Sequence, residues 1–143
     1  LAFIRGLAEY EKLSHACVAT EETLGETLFG TRPYAEVIMA DYEGQPAGFA
    51  LFFHNYSTFR ARPGIYLEDL FVLPDLRGRG IGRALLEELA RLAVARGCAR
   101  LEWSVLDWNT PAIEFYQSLG AKPQDEWTIY RVTDEALDRL AKC

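Results

Sequence analysis

Two stretches of the chain combine residue types that can do chemistry. In Tyr66-Leu-Glu-Asp-Leu-Phe-Val72, the adjacent carboxylates Glu68 and Asp69 interrupt a nearly apolar run. Neighbouring side chains of a regular strand point to opposite faces, so at least one carboxylate must meet a polar cavity, a partner or a bulge. After the break at Pro74 come Arg77, Gly78, Arg79, Gly80, Ile81 and Gly82, which lead into a helix with no further breaker before Gly97. Glycines at a strand-to-helix junction let the backbone approach a ligand closely, and the first helical turn offers unpaired N–H groups. With Arg77, Arg79 and Arg83 close by, this is an anion site suited to phosphate.

Spacing excludes the commonest phosphate motifs. A Walker A loop needs Gly-Lys followed by Ser or Thr, and here Gly82 precedes Arg83. In a dinucleotide fingerprint the third glycine would follow Gly78 and Gly80 at position 83, but it stands at Gly82. Glu102 lies where a ribose-binding acid would fall, but in mid-strand.

The elements that must hold these residues follow from periodicity. Leu1, Ile4, Leu7 and Ala8 recur at helical spacing, with Tyr10 and Glu11 at the end of that helix. Thr20 reads as the N-cap of a second helix running through Leu28. Ala35–Tyr42 and Pro46–Phe53 read as a hairpin turned at Glu43–Gly44. Residues 55–64 read as a surface loop carrying Arg60 and Arg62. Ile65–Leu73 is a strand, and the helix after the loop places Ile81, Leu85, Leu89 and Leu92 on its dry side. Glu87–Arg91 reads as an i,i+4 pair on the wet side. Ala99–Leu106 alternates as a strand, so strand, loop, helix and strand form a right-handed βαβ unit with parallel strands. Asn109 and Pro111 open a short helix that carries Tyr116 and ends at Gly120. Trp127–Val132 reads as the last strand, and Thr133 caps a closing helix. The sum is an α/β (α+β) fold, a mixed sheet flanked by helices, in one domain over residues 1–143.

Composition bounds the function classes. The 143 residues suffice for one sizeable core, and half of them are hydrophobic. The net charge, 15 − 21 = −6, disfavours a nucleic-acid partner and favours cationic or neutral ones. No apolar run approaches a membrane span, and no signal peptide is visible. Cys17, Cys98 and Cys143 match neither a disulfide framework nor zinc spacing, so the expectation is a cytoplasmic protein without metal. His15 and His54 belong to no ligand cluster, and no Cys/His nucleophile pair finds support.

The pattern that fits is Arg77-x-x-Gly80-x-Gly82 after a strand and before a long helix, followed by a strand and an Asn109…Tyr116 helix. This resembles the GNAT superfamily of acetyl-CoA-dependent N-acetyltransferases, over essentially the whole chain. Within it the chain looks most like the diamine (spermidine/spermine-type) and thialysine acetyltransferases. The carriers are Tyr10–Glu11, Tyr66-Leu-Glu-Asp-Leu-Phe-Val72 and Trp108-Asn-Thr-Pro-Ala-Ile-Glu-Phe-Tyr116. Glu126–Trp127 resembles a late acid–Trp element at a shorter spacing. The family's first strand would lie before Leu1.

The resemblance implies splayed parallel strands that hold the cofactor. Gly78, Arg79, Gly80, Ile81, Gly82 and Arg83, with Arg77, would cradle the pyrophosphate of acetyl-CoA. Leu70, Phe71 and Val72 would line the pantetheine arm, with main-chain groups of Leu70 and Val72 bonding its amides. Asn109, Thr110, Pro111, Ala112 and Tyr116 would contact the coenzyme from the next helix. Alkylamines are mostly protonated at neutral pH, so transfer needs a base, for which Glu68 is the candidate. Tyr116 would protonate the leaving thiolate. A small cationic amine would meet Tyr10, Glu11, Glu68, Asp69, Glu102, Trp103, Ser104 and Glu126. Asp69 reads as either structural or substrate-holding, and Glu102 equally as an exposed strand residue. A homodimer is expected, by strand pairing through Trp127–Val132. The competing classes are a non-catalytic acyl-CoA sensor, a phosphate-binding interaction module, and the same chemistry on another amine.

Overall fold

The computed structural model describes residues 1–142. The chain divides into two compact units, one spanning Leu1–Leu106 and one from Asp107 onward. In the first unit, α1 (Ala2–Tyr10) and α2 (Glu21–Phe29) precede the strands β1 (Glu36–Tyr42), β2 (Gln45–Ser57) and β3 (Arg62–Val72). Then come α3 (Ile81–Ala95) and the short β4 (Leu101–Trp103). The sheet order is β1-β2-β3-β4, antiparallel except for the parallel β3–β4 pair. The expected hairpin and βαβ unit are thus both present.

Several expected boundaries move. β2 and β3 extend through most of the stretch expected as a loop, which shrinks to a turn at residues 58–61. Asn55, Tyr56 and Ser57 pair with Gly64, Pro63 and Arg62, and this ladder satisfies backbone groups that polar composition alone suggested were solvated. Of the expected Ala99–Leu106 strand, only Leu101–Trp103 pairs. The wet side of α3 carries Arg83–Glu87 and Arg91–Glu88 contacts in place of the expected Glu87–Arg91 pair.

Both faces of the sheet are covered. On one, the Phe3 ring of α1 lies 6.2 Å from Phe49 and 5.7 Å from Phe71. Gly6 permits this approach, because a Cβ there would sit 2.7 Å from the Phe71 ring. On the other, α3 buries Leu85, Leu86, Leu89 and Ala93, and Gly82 faces Val72. The far end of α3 is tied to the sheet: Arg96 forms a two-pronged bond to Glu36 (2.8 and 3.0 Å) and lies over the Phe52 ring at 5.9 Å. Thr20 caps α2 through a reciprocal bond pair with Thr23.

The second unit holds α4 (Thr110–Ser118) and α5 (Asp134–Ala141). The expected strand Trp127–Val132 is not one: its residues pair with no strand among the described residues. Its apolar alternation is real, but alternation makes a strand only where a partner edge accepts its main chain. Trp127, Ile129 and Tyr130 stand 80%, 72% and 93% exposed.

Gly48 of β2 is a test of the sheet's tolerance. A Cβ built there runs into the main-chain oxygen of Phe71, which cannot rotate away. Gly48→Ala is therefore expected to cost about 1–3 kcal/mol. A urea midpoint equal to that of the wild type would contradict this packing.

Candidate active site

The paradox of two adjacent carboxylates is resolved by register. Leu51 pairs with Asp69 but Phe52 pairs with Leu67, so Glu68 is the extra residue of a β-bulge. The bulge resets the alternation of the strand. Tyr66, opposite Phe53, and Asp69, opposite Leu51, then belong to the face that α1 covers, and Glu68 is released from regular pairing. Glu11, at the C-terminal end of α1, meets the same place. Burial first, then Glu68 and then Glu11 push the Asp69 carboxyl from 3.8 up to about 6. Burial and then Glu68 raise Glu11 above its ordinary range. No side-chain hydrogen bond or ion pair to Glu11, Glu68 or Asp69 is found among the described residues. Asp69, which spacing left as structural or substrate-holding, is thus the strongly perturbed acid. The signal that could have found it was the helix end at Tyr10–Glu11, which brings a third negative charge to the pair.

Beyond the bulge the main chain is open on one side. β3–β4 pairing stops at Leu67–Trp103, while β3 continues to Val72. Leu73 donates its N–H to Ala47 O at 2.8 Å, so Phe71 and Leu73 turn toward β2. Leu70 and Val72 then turn their amides to the side where β4 has ended. An extended amide-bearing chain fits such an edge. Phe71 is a buried core ring, as its stacking neighbours require.

Beyond this edge, Gly78 and Gly80 adopt φ of +78° and +83°, and a Cβ at either would meet nothing within 4 Å. Gly80 is the N-cap of α3 and has no side chain, so the first-turn N–H groups of Ile81, Gly82 and Arg83 lack a side-chain cap. A pyrophosphate fits this cradle through main-chain donors and the positive helix end. The arginine side chains have other partners. Arg77 Nε donates to Val72 O (2.9 Å), Arg79 donates to the Tyr42 hydroxyl (2.9 Å), and Arg83 meets Glu87 (3.7 Å).

Glu102 accepts from Arg100 (2.9 Å) and from Asn55 Nδ2 (3.1 Å), so its charge is already matched. Ser104 shares a hydrogen bond with Tyr66 (2.7 Å), and Trp103 is half-buried at the end of the parallel ladder. Tyr10 stands at the end of α1, with the Arg77 guanidinium 4.8 Å from its ring centroid.

In the second unit Asn109 occupies the N-cap position of α4, where its carbonyl accepts from Ile113 N–H (3.0 Å), but its side chain does not cap. Thr110, Pro111 and Ala112 form the first turn, and Tyr116 is half-buried beside Phe115, ring centroids 5.7 Å apart. Glu126 is exposed, in a loop where Trp127 N–H bonds Gln124 O.

The chain that builds this open strand edge and glycine-lined helix N-terminus matches the acetyltransferase (GNAT) family model over residues 7–121. The chain belongs to this family. It is therefore an acetyl-CoA-dependent acetyltransferase. It is 39% identical to the thialysine N-epsilon-acetyltransferase of Bos taurus, over 99% of this chain and 89% of that protein. It is 34% identical to an L-ornithine N5-acetyltransferase of Arabidopsis thaliana, over 97% and 81%. Among solved structures, an integron cassette protein from the mobile metagenome of V. cholerae superposes with a TM-score of 0.83 at 32% identity, covering 99% and 88%. No helix among the described residues is long and apolar enough to cross a membrane.

The Asp69 carboxyl sets a pH dependence on the ligand-free fold. An unfolded aspartate with pKa 3.8 is ionised above about pH 5, whereas the folded one keeps its proton to about 6. The stability this gives is fully present below about pH 3.8 and is lost as pH rises from there through about 6, by on the order of 1–3 kcal/mol. Asp69→Asn is expected to raise the unfolding midpoint at pH 7.5 and to change it little at about pH 3. Equal effects at both pH values would contradict the assignment.

Proposed function

We propose that the enzyme moves the acetyl group of acetyl-CoA directly to a primary amine of a small cationic substrate such as a polyamine, thialysine or ornithine. The observation that carries the substrate class is the Glu11, Glu68 and Asp69 cluster, for which the described residues supply no counter-cation. An ammonium group would supply it, and the Tyr10 ring offers a face beside it. The substrates named by the thialysine and ornithine relatives are cationic amines of this kind.

In this reading the main-chain N–H groups from Gly78 to Arg83 hold the pyrophosphate. Leu70 and Val72 bond the pantetheine arm, and one N–H there polarises the thioester carbonyl. Asn109, Thr110, Pro111 and Ala112 flank the coenzyme. Glu68 takes the ammonium proton, directly or through a water. The amine nitrogen bonds the carbonyl carbon, the C–S bond breaks, Tyr116 gives its proton to the sulfur, and the second proton lost from the nitrogen restores the Tyr116 phenol. No covalent enzyme intermediate is needed once both reactants are held together. Asp69 is the second reading for the base, because its pKa near 6 lies closer to neutrality. Glu102, Trp103, Ser104 and Glu126 shape the amine pocket.

The two units act as one catalytic domain, a reading supported by the family match running past Leu106. The exposed apolar Trp127–Val132 segment supports a homodimer formed by strand addition to a second copy. Free Cys17 and Cys98 support a cytoplasmic location. The net charge of −6 supports a small-molecule partner over a nucleic acid.

The test is thiol release from acetyl-CoA across a panel of polyamines, thialysine, ornithine and lysine. Coenzyme binding without turnover on any amine would make the chain a sensor. Tyr116→Phe is expected to lower kcat about 100-fold or more while coenzyme affinity holds. The acid limb of the kcat/KM profile should flatten in Glu68→Gln if Glu68 is the base. It should flatten in Asp69→Asn instead if the second reading is correct.

A further inference from the structure

Arg77 opens the phosphate loop, yet its side chain points back into the protein. Its Nε donates to the Val72 carbonyl at 2.9 Å. Its guanidinium carbon lies 4.8 Å from the Tyr10 ring centroid and 5.5 Å from that of Phe71. Each contact has a distinct consequence. Val72 is the last residue of β3, where the strand has no β4 neighbour to hold it. Tyr10 is the last residue of α1, next to Glu11 of the carboxylate cluster. Phe71 is the core ring against which α1 packs through Phe3 and Gly6. One planar cation therefore touches the end of the strand that faces the coenzyme and the end of the helix that faces the amine.

We propose that Arg77 is a positioning residue that couples the amine-binding end of α1 to the coenzyme-binding end of β3, and that its side chain serves the amine more than the phosphate. The assignment rests on the acetyl-transfer reading above and deepens it. A guanidinium suits the task because it donates in its own plane while its faces stack on rings. A lysine keeps the charge but can do only one of the two at a time. The phosphate cradle loses little, because its donors are main-chain N–H groups at Gly80 and beyond.

The experiment compares Arg77→Lys, Arg77→Gln, Tyr10→Leu and the Arg77→Gln/Tyr10→Leu double variant in the full chain. Coenzyme A affinity is measured by calorimetry, and the amine KM and kcat by thiol release with the best amine of the panel. Both Arg77 variants are expected to raise the amine KM about three- to tenfold, the scale of one cation–π contact with one charged hydrogen bond. Coenzyme A affinity should stay within about twofold, which also shows that the variants fold. The double variant should be no worse than the poorer single variant, since both break one connection. A coenzyme affinity that falls in Arg77→Gln and returns in Arg77→Lys would overturn the proposal in favour of a phosphate charge. Additive effects of the Arg77 and Tyr10 changes would overturn it as well. Amide exchange over residues 7–13 gives a readout independent of turnover: faster exchange in Arg77→Gln supports the coupling, and unchanged exchange overturns it. A wild type inert toward every amine would sink the acetyl-transfer reading instead.

Discussion

One extra residue in β3 governs this molecule. The bulge at Glu68 changes which way every later residue of the strand faces. Before it, Ile65 and Leu67 turn their main chain to β4; after it, Leu70 and Val72 do so, where β4 no longer runs. In a regular ladder adjacent carboxylates would lie on opposite faces. The same single residue thus selects which main-chain groups face the open edge and gathers negative charge beside it. The facing of the strand's main chain and the local electrostatics are both set by one defect in one ladder.

The charge gathered there is held against its own repulsion. Desolvation is the larger contribution at both Asp69 and Glu11, with the neighbouring carboxylates adding to it. Such a cluster is tolerated where packing elsewhere is strong, and here the aromatic layer of Phe3, Phe49 and Phe71 lies directly beneath α1. The helix that delivers Glu11 is fixed by apolar burial, so the carboxylates need not attract one another to stay together. A site that is unfavourable when empty favours whatever neutralises it.

Much of this was legible in the chain itself. The α1, α2, α3, α4 and α5 helices follow from their apolar spacing and terminal residues, and the loop before α3 from its glycines, two of which take positive φ. The clash between Glu68 and Asp69 was visible as a conflict, with a bulge among its possible resolutions. What spacing could not reveal were facts about partners. The alternation at Trp127–Val132 and Ala99–Leu106 is equally strand-like, but only Leu101–Trp103 finds a ladder. Polar residues at Asn55–Ser57 read as loop because sequence does not show that β3 runs opposite them. Arg77 reads as a phosphate ligand from its motif, whereas its direction depends on Tyr10, which lies far away in the sequence. Local pattern fixes local structure; the roles of these side chains come from contacts distant along the chain.

The bidentate bond between Arg96 and Glu36 has a mechanical consequence. It anchors the far end of α3 to the start of β1, while Arg79, just before the near end, bonds Tyr42 at the other end of the same strand. Between these ties Leu85, Leu86, Leu89 and Ala93 bury the helix on the sheet. Its 15 residues span about 22 Å at 1.5 Å per residue. The helix is a rod pinned to one strand at both ends, which fixes the height of the glycine loop above the sheet.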